Sequence, residues 1–401
     1  MHVIVIGAGV VGMSTAYYLT ERGCSVTVVD RADNVADGAS HANGGQLSYS
    51  FTDALARPSF IAQLPRLLRG ADPGSRIRWS PRLAAWGMRF LSHCTSRRAA
   101  DNTLALLSMA LRSAELMREL RATLDFDFAY RPAGKLVLLA DDSELAAASR
   151  NTALKRSKGC DVELLDPGAA MALEPALAGL SRPIAGAVYS RNDEVADARL
   201  FCEGVRRHLE STGLARFRLG ARADGIRVER GRATGVTGTV DERGDAVVVC
   251  LGAWSPGLLR TAGVASHIYP VRGYSITLPP GTGAPSVSIT SLRDRIVFSR
   301  LNGAMRIAGF ADFTGFDTGG DAERVRTLAE VARGVLPTAA DFAACDARAW
   351  GGFRPMTPDG RPRVGASRVP GLFLNTGHGM LGWTLACASA SDAADAVMKV
   401  H

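Results

Sequence analysis

Residues 2–30 read HVIVIGAGVVGMSTAYYLTERGCSVTVVD: an apolar run, a glycine turn, a helical stretch from about Val11 to Arg22, and a second apolar run closing on Asp30. No other part of the chain restricts the fold so severely. Gly7, Gly9 and Gly12 form G-x-G-x-x-G between strand and helix. Gly7 serves a tight turn, Gly9 admits a pyrophosphate to the backbone, and Gly12 lets helix and strand pack closely. The helix aims its positive end at the phosphates, with Val10 and Val11 in its first turn. Asp30 lies about 20 residues beyond the glycines, where an acid binds a ribose 2′-OH, and Arg31 adjoins it. An acid there argues against NADP. The expected fold is α/β, with a Rossmann-like dinucleotide-binding domain.

The far end holds VPGLFLNTGHGMLGWTLACASASDAADAV, residues 369–397. It predicts a strand at 372–374, a glycine turn and a last helix from about Leu381. A second helix N-terminus, led by Gly377, Gly379 and Gly382, suits developing negative charge. Reduced flavin carries charge around N1 and O2, whereas reduced nicotinamide is neutral, so such a turn favours FAD. An ordinary closing helix explains the same residues equally well.

The 401 residues, 47% hydrophobic, suffice for two connected domains with a large core. The 43 glycines are dispersed as turn punctuation. Basic residues exceed acidic by 47 to 39, and all but Lys135, Lys155, Lys158 and Lys399 are arginine. This balance favours anionic ligands or an acidic membrane surface, and no Lys/Arg block of the nucleic-acid type is present. Cys24, Cys94, Cys160, Cys202, Cys250, Cys345 and Cys387 are scattered without metal-ligand spacing, which points to inert thiols in a reducing compartment and to no metal. The first strand begins at residue 2 and no apolar run is long enough for a bilayer. The expectation is a cytoplasmic protein, at most peripheral to the inner face of the membrane.

Between the ends, RADNVADGASHANGGQLSYS (31–50) reads as a ligand-contacting loop, and 81–123 as helical. KLVLLA (135–140) reads as a strand, with helices at about 142–156 and 197–211. Short strands follow over 215–238, then AVVVCLGAWS (246–255), an apolar strand running into a turn at Gly252. Strand-like runs over 268–310 predict a mostly antiparallel sheet inserted before the C-terminal return. With no linker or repeat, the domains are interleaved: 1–80, 186–262 and 348–401 for the dinucleotide, 81–185 and 263–347 for the substrate. GGFRPMTPDGRP (351–362) holds Arg354 between two glycines and a proline, which suggests a stiff loop aiming one guanidinium. An ion pair with Asp359 is the plain alternative. Arg300 and Arg306 read as a solvated face, and Trp254, Trp350 and Trp383 as core or cofactor-edge packing.

HVIVIGAGVVGMSTAYYL, ASHANGGQLS, VRGYSITLP, GGFRPMTPDG and LFLNTGHGMLGWTLACAS together resemble the D-amino-acid dehydrogenase group of the D-amino-acid oxidase-like FAD-dependent oxidoreductases. The resemblance spans the chain. It implies an FAD domain and an α+β substrate domain whose large sheet covers the flavin. It places Arg354 on the substrate carboxylate and Tyr274, less firmly, on the substrate. It sets Ser40, His41, Ala42, Asn43, Gly44, Gly45 and Gln46 along the flavin, and Gly377, His378, Gly379, Met380, Leu381 and Gly382 beside N1 and O2. Met356 and Thr357 stand where some relatives carry a flavin-linked cysteine, so non-covalent FAD is expected. Met380 replaces the second arginine of glycine oxidase-like relatives. GARADGIR (220–227) lacks the valine that relatives rest against adenine.

The expected reaction is oxidative deamination of D-amino acids: hydride passes from Cα to flavin N5, and the imino acid hydrolyses to a 2-oxo acid and ammonia. Electrons go on to a quinone or another carrier. The alternatives are an oxidase or dehydrogenase of secondary or cyclic amino acids, of the D-proline, hydroxy-D-proline or sarcosine type, and an FAD-binding subunit of an electron-transfer complex.

Overall fold

In the strands His2–Ile6, Ser25–Val29 and Ala246–Val249 nearly every side chain is buried, as happens only when a parallel sheet is covered on both faces. In this computed structural model, which describes residues 1–70, 72–344 and 348–400, these strands form the centre of a six-stranded sheet. The outer strands are Ala215–Arg218 on one side, and Leu372–Thr376 then Arg363–Ala366 on the other. All pairs are parallel except the last. The helices Val10–Thr20 and Gly382–Met398 share the core on one face. A three-stranded antiparallel sheet (residues 223–243) and the helix Ser255–Thr261 cover the other.

A second sheet has eight strands, in the order 348–356, 269–278, 304–312, 296–301, 288–291, 135–139, 186–190, 162–165. Every pair is antiparallel except 288–291 with 135–139. Strands 186–190 and 348–356 come from segments that the sequence reading grouped with the dinucleotide domain, yet they pair here. The helix Asp321–Val335 packs on one face of this sheet. The opposite face lines a cavity.

Three local expectations change. Arg354 lies in the strand Arg348–Met356, opposite Val271, not in a loop. Pro355 is tolerated there because the strand is at the sheet edge. The 81–123 stretch is two helices, Pro81–His93 and Ser96–Thr123, each capped by a hydroxyl, Ser80 and Thr95. A further helix, Pro58–Leu68, lies in a stretch left unassigned above, although Phe60, Ile61, Leu64, Leu67 and Leu68 recur there at helical spacing; only Leu67 on it is buried. The described cysteines are all buried and free; Cys345 lies outside the described residues.

Candidate active site

The cavity, about 1470 Å³, runs from Gly7, Gly9, Val10 and Val11 past Asp30 and Arg31, under Ser40–Gln46, to Tyr274 and Arg354. This exceeds the roughly 300–1,000 Å³ of an ordinary small-molecule pocket. It has room for a dinucleotide and a substrate together.

At the phosphate end the turn is built by close contact. Gly7 has φ +111°, and a Cβ on Gly12 would lie 1.8 Å from the Gly7 carbonyl oxygen. Gly9 caps the first helix and no side chain of its own covers that end. The Ser40 hydroxyl accepts from Val10 N at 3.0 Å. Asp30 accepts from Ala8 N at 2.7 Å and from Ala32 N at 2.9 Å, which fixes its carboxylate at the cavity wall. Arg31 stacks over Trp254, 4.1 Å from the ring centroid. Ala221, Arg222, Ala223 and Asp224 of the GARADGIR stretch line the same end.

Gly252, Gly379, Met380, Leu381 and Gly382 line the middle of the cavity with Asn43, Gly44, Gly45 and Gln46. Ser275 Oγ donates to the Ala42 carbonyl at 2.6 Å, tying this loop to the large sheet. His41 does not face the cavity: its ring lies 3.7 Å from Asp37 and 3.5 Å from Arg199. His378 is buried against Ser389 Oγ at 2.9 Å, and burial pushes its pKa down to about 3, so it is a neutral, structural ring. Asn375, buried at the cavity wall, donates to Thr15 Oγ1, and its Oδ1 has no partner among the described residues. Sequence reading passed over Asn375, because an asparagine at the end of a strand carries no spacing signal.

Arg354 is held at the floor. Its Nη1 donates to the Phe310 carbonyl and its Nη2 to the Gly309 carbonyl at 3.4 Å. Phe310 has φ +61° beside a register shift in strand 304–312. This irregularity turns two carbonyls toward one guanidinium. Gly273 leaves the space above it: a Cβ there would stand 2.5 Å from Arg354 Cζ. Asp359 is not its partner; that carboxylate pairs with Arg363 at 3.1 Å. Among the described residues Arg354 makes no ion pair. It is partly exposed, into the cavity, and burial pushes its pKa down to about 10, so it remains cationic at neutral pH. Tyr274 donates to Asp312 Oδ2 at 2.9 Å, and Asp312 is itself gripped by Arg324 at 2.7 Å. Burial and then Asp312 push the Tyr274 pKa up, which removes it as a base. Arg306 is not solvated as expected: it pairs with Asp197 at 3.1 Å. Arg300 is exposed.

One cavity thus joins the glycine turn at the start of the first helix to an arginine that makes no ion pair among the described residues, an arrangement suited to a dinucleotide-dependent oxidoreductase. The chain belongs to the FAD dependent oxidoreductase family, whose pattern matches residues 2–396, and FAD is its cofactor. It is similar to "D-amino acid dehydrogenase 2" of Ralstonia nicotianae, at 40% identity over 100% of this chain and 97% of that protein. It is also 37% identical to the D-amino acid dehydrogenase of Dechloromonas aromatica, covering 99% and 97%. Among solved structures it resembles the L-proline dehydrogenase of P. horikoshii, with TM-score 0.76 and 20% identity over 99% and 93%. That likeness is one of fold. The α/β reading with a Rossmann-like FAD domain and a large sheet stands.

Proposed function

We propose that this enzyme is an FAD-dependent dehydrogenase of D-amino acids, converting them to 2-oxo acids and ammonia. Arg354 carries this reading. A guanidinium oriented by two carbonyls and lacking a carboxylate partner is a receptor for one, and the full-length likeness to D-amino acid dehydrogenases supplies the substrate class.

Arg354 holds the α-carboxylate in a bidentate grip, so Cα is presented in one orientation. The Tyr274 hydroxyl, its proton committed to Asp312, offers only an acceptor lone pair to the bound amino acid. The amine enters neutral, its proton passing to water. Gly7, Gly9, Val10, Asp30, Arg31, Ser40, the Asn43–Gln46 segment and the Gly379–Gly382 segment would hold FAD, which would supply the two-electron acceptor for the Cα–H. With Met356 and Thr357 after the arginine, it is held without a covalent bond. A panel of D- and L-amino acids under anaerobic conditions checks the reading. D-enantiomers are expected to bleach the bound flavin and L-enantiomers to leave it yellow; the reverse pattern would overturn it.

The acceptor is proposed to be a quinone, reached at a membrane surface. Residues 57–98 contain nine arginines against one acid, Asp72. Arg76 and Arg78 pair with Glu323 and Asp317, and the rest of the stretch stays strongly basic. Ile61, Leu68, Trp79, Met88 and Leu91 are exposed on the same stretch, and Phe60, Gln63 and Leu67 reach the cavity wall. Apolar side chains set among arginines suit anionic lipid headgroups. Among the described residues no helix is long and apolar enough to cross a membrane. The protein is expected to co-sediment with vesicles containing anionic lipid and not with neutral ones. Replacing Ile61, Leu68 and Trp79 by serine weakens that binding. Equal recovery from both vesicle types counts against the surface.

A further inference from the structure

Lys135 is one of four lysines in the chain, and it opens a strand whose every residue is buried. It is 2% exposed. Its ammonium donates to Ser48 Oγ at 2.8 Å and Gln46 Oε1 at 3.1 Å and lies 4.2 Å from the centroid of Phe51. Among the described residues it makes no ion pair, and it lines the same cavity as Arg354.

A buried ammonium costs several kcal/mol unless an anion or strong acceptors compensate it. The substrate carboxylate does not serve, because the Lys135 strand is five places from the Arg354 strand in the sheet, roughly 24 Å at about 4.8 Å per strand. The flavin compartment is closer at hand. Gln46 belongs to the loop that lines it and is locked to Ser288 and Thr290 by its amide. Ser48 N donates to Thr384 Oγ1 at 3.0 Å, on the last helix just past Gly382. Lys135 is thus tied to both walls of that compartment.

We infer that Lys135 is a positioning residue that sets the reduction potential of the bound flavin, its charge offsetting the negative charge gained on reduction. This rests on the FAD reading of the cavity. Two electrons and one proton leave the flavin one unit more negative, and a fixed cation in a low-dielectric site favours that state. The charges facing Lys135 are Asp193, Lys155 and Asp53. Lys155 is satisfied by Asp53 at 2.7 Å. Asp193 is buried, with Oδ1 accepting from Ser50 N at 2.9 Å and Oδ2 unpartnered among the described residues. It moderates the lysine. Burial pushes Lys135 down to about 8, so it is charged at neutral pH and loses its charge above that value.

Flavin absorbance of each purified protein is read first, followed by the midpoint potential by reductive titration against a reference dye. Lys135→Gln lowers the potential, Asp193→Asn raises it, and Lys135→Arg restores most of the wild-type value. The gap between wild type and Lys135→Gln narrows above pH 8. A protein that binds no FAD sinks the reading of the cavity. Flavin-loaded variants with an unchanged potential, or with shifts of the same sign, overturn the role of Lys135 alone. If Lys135→Gln does not retain flavin, the sign of the Asp193→Asn shift decides.

Discussion

Replacing Arg354 by alanine is expected to raise KM for every D-amino acid substrate by about 10- to 150-fold, the equivalent of a charge-assisted hydrogen-bonding pair worth roughly 1.5–3 kcal/mol. The guanidinium already has its two internal acceptors, the carbonyls of Phe310 and Gly309. Its removal therefore takes away the carboxylate receptor and leaves two carbonyls facing the cavity. kcat is expected to fall as well, because the carboxylate grip also directs Cα–H. Arg354→Lys recovers only part of the loss: an ammonium is a point charge, and a two-pronged carboxylate contact needs the fork. Steady-state kinetics with an artificial acceptor measures both constants. An Arg354→Ala enzyme with unchanged KM across the substrate panel would falsify the carboxylate role, whatever became of its stability.

The second large effect is expected at Gly12, whose substitution by alanine acts at a distance from the chemistry. The new methyl group would stand 1.8 Å from the Gly7 carbonyl oxygen, closer than atoms can approach. Gly7 has no freedom to retreat, since its own Cβ position is 2.6 Å from the Cys250 carbonyl oxygen just past the neighbouring strand. Helix and turn must separate, and the geometry that receives the phosphates is lost. Overpacking of this kind costs about 1–3 kcal/mol, which corresponds to flavin binding weakened by about 5- to 150-fold. The ratio of flavin to protein absorbance, with FAD titrated back into the stripped protein, gives the number. A Gly12→Ala protein that purifies yellow, with wild-type affinity, would show that the turn tolerates a side chain and is not the phosphate cradle.

The chain announced its dinucleotide end plainly because that function is written in local terms. Glycines at fixed spacing, a strand before them, a helix after them and an acid at the next strand end are all neighbours in sequence, and the geometry they require is made by neighbours. Asp30 and Gly9 could be placed without the rest of the protein. Arg354 was legible as an oriented cation but not as a member of a strand, because its pairing partner, Val271, lies 83 positions away. The helix Pro58–Leu68 is a different case: Phe60, Ile61, Leu64, Leu67 and Leu68 recur at helical spacing, so its period was there to be read even though only Leu67 on it is buried. His41 sits in a cofactor-lining segment, yet its ring turns to Asp37 and Arg199. The segment around His41 is a turn, closed by His41 N on the Gly38 carbonyl, and a turn sends neighbouring side chains in different directions, so a motif match does not choose one.

What the sequence by itself determined was the glycine turn between the first strand and helix and the class of cofactor, and, through the resemblance, the proposal that Arg354 receives the substrate. Those features depend on backbone conformation within a few residues, and amino-acid type governs that directly. Only the tertiary structure decided which charges share a compartment. It removed Asp359 from Arg354, brought Asp197 to Arg306, buried Asp193 with one oxygen unpartnered among the described residues, and set Lys135 beside Gln46 and Ser48. Electrostatic partners are chosen by distance in space and by the local dielectric, and both are products of the packed fold rather than of the order of residues along the chain.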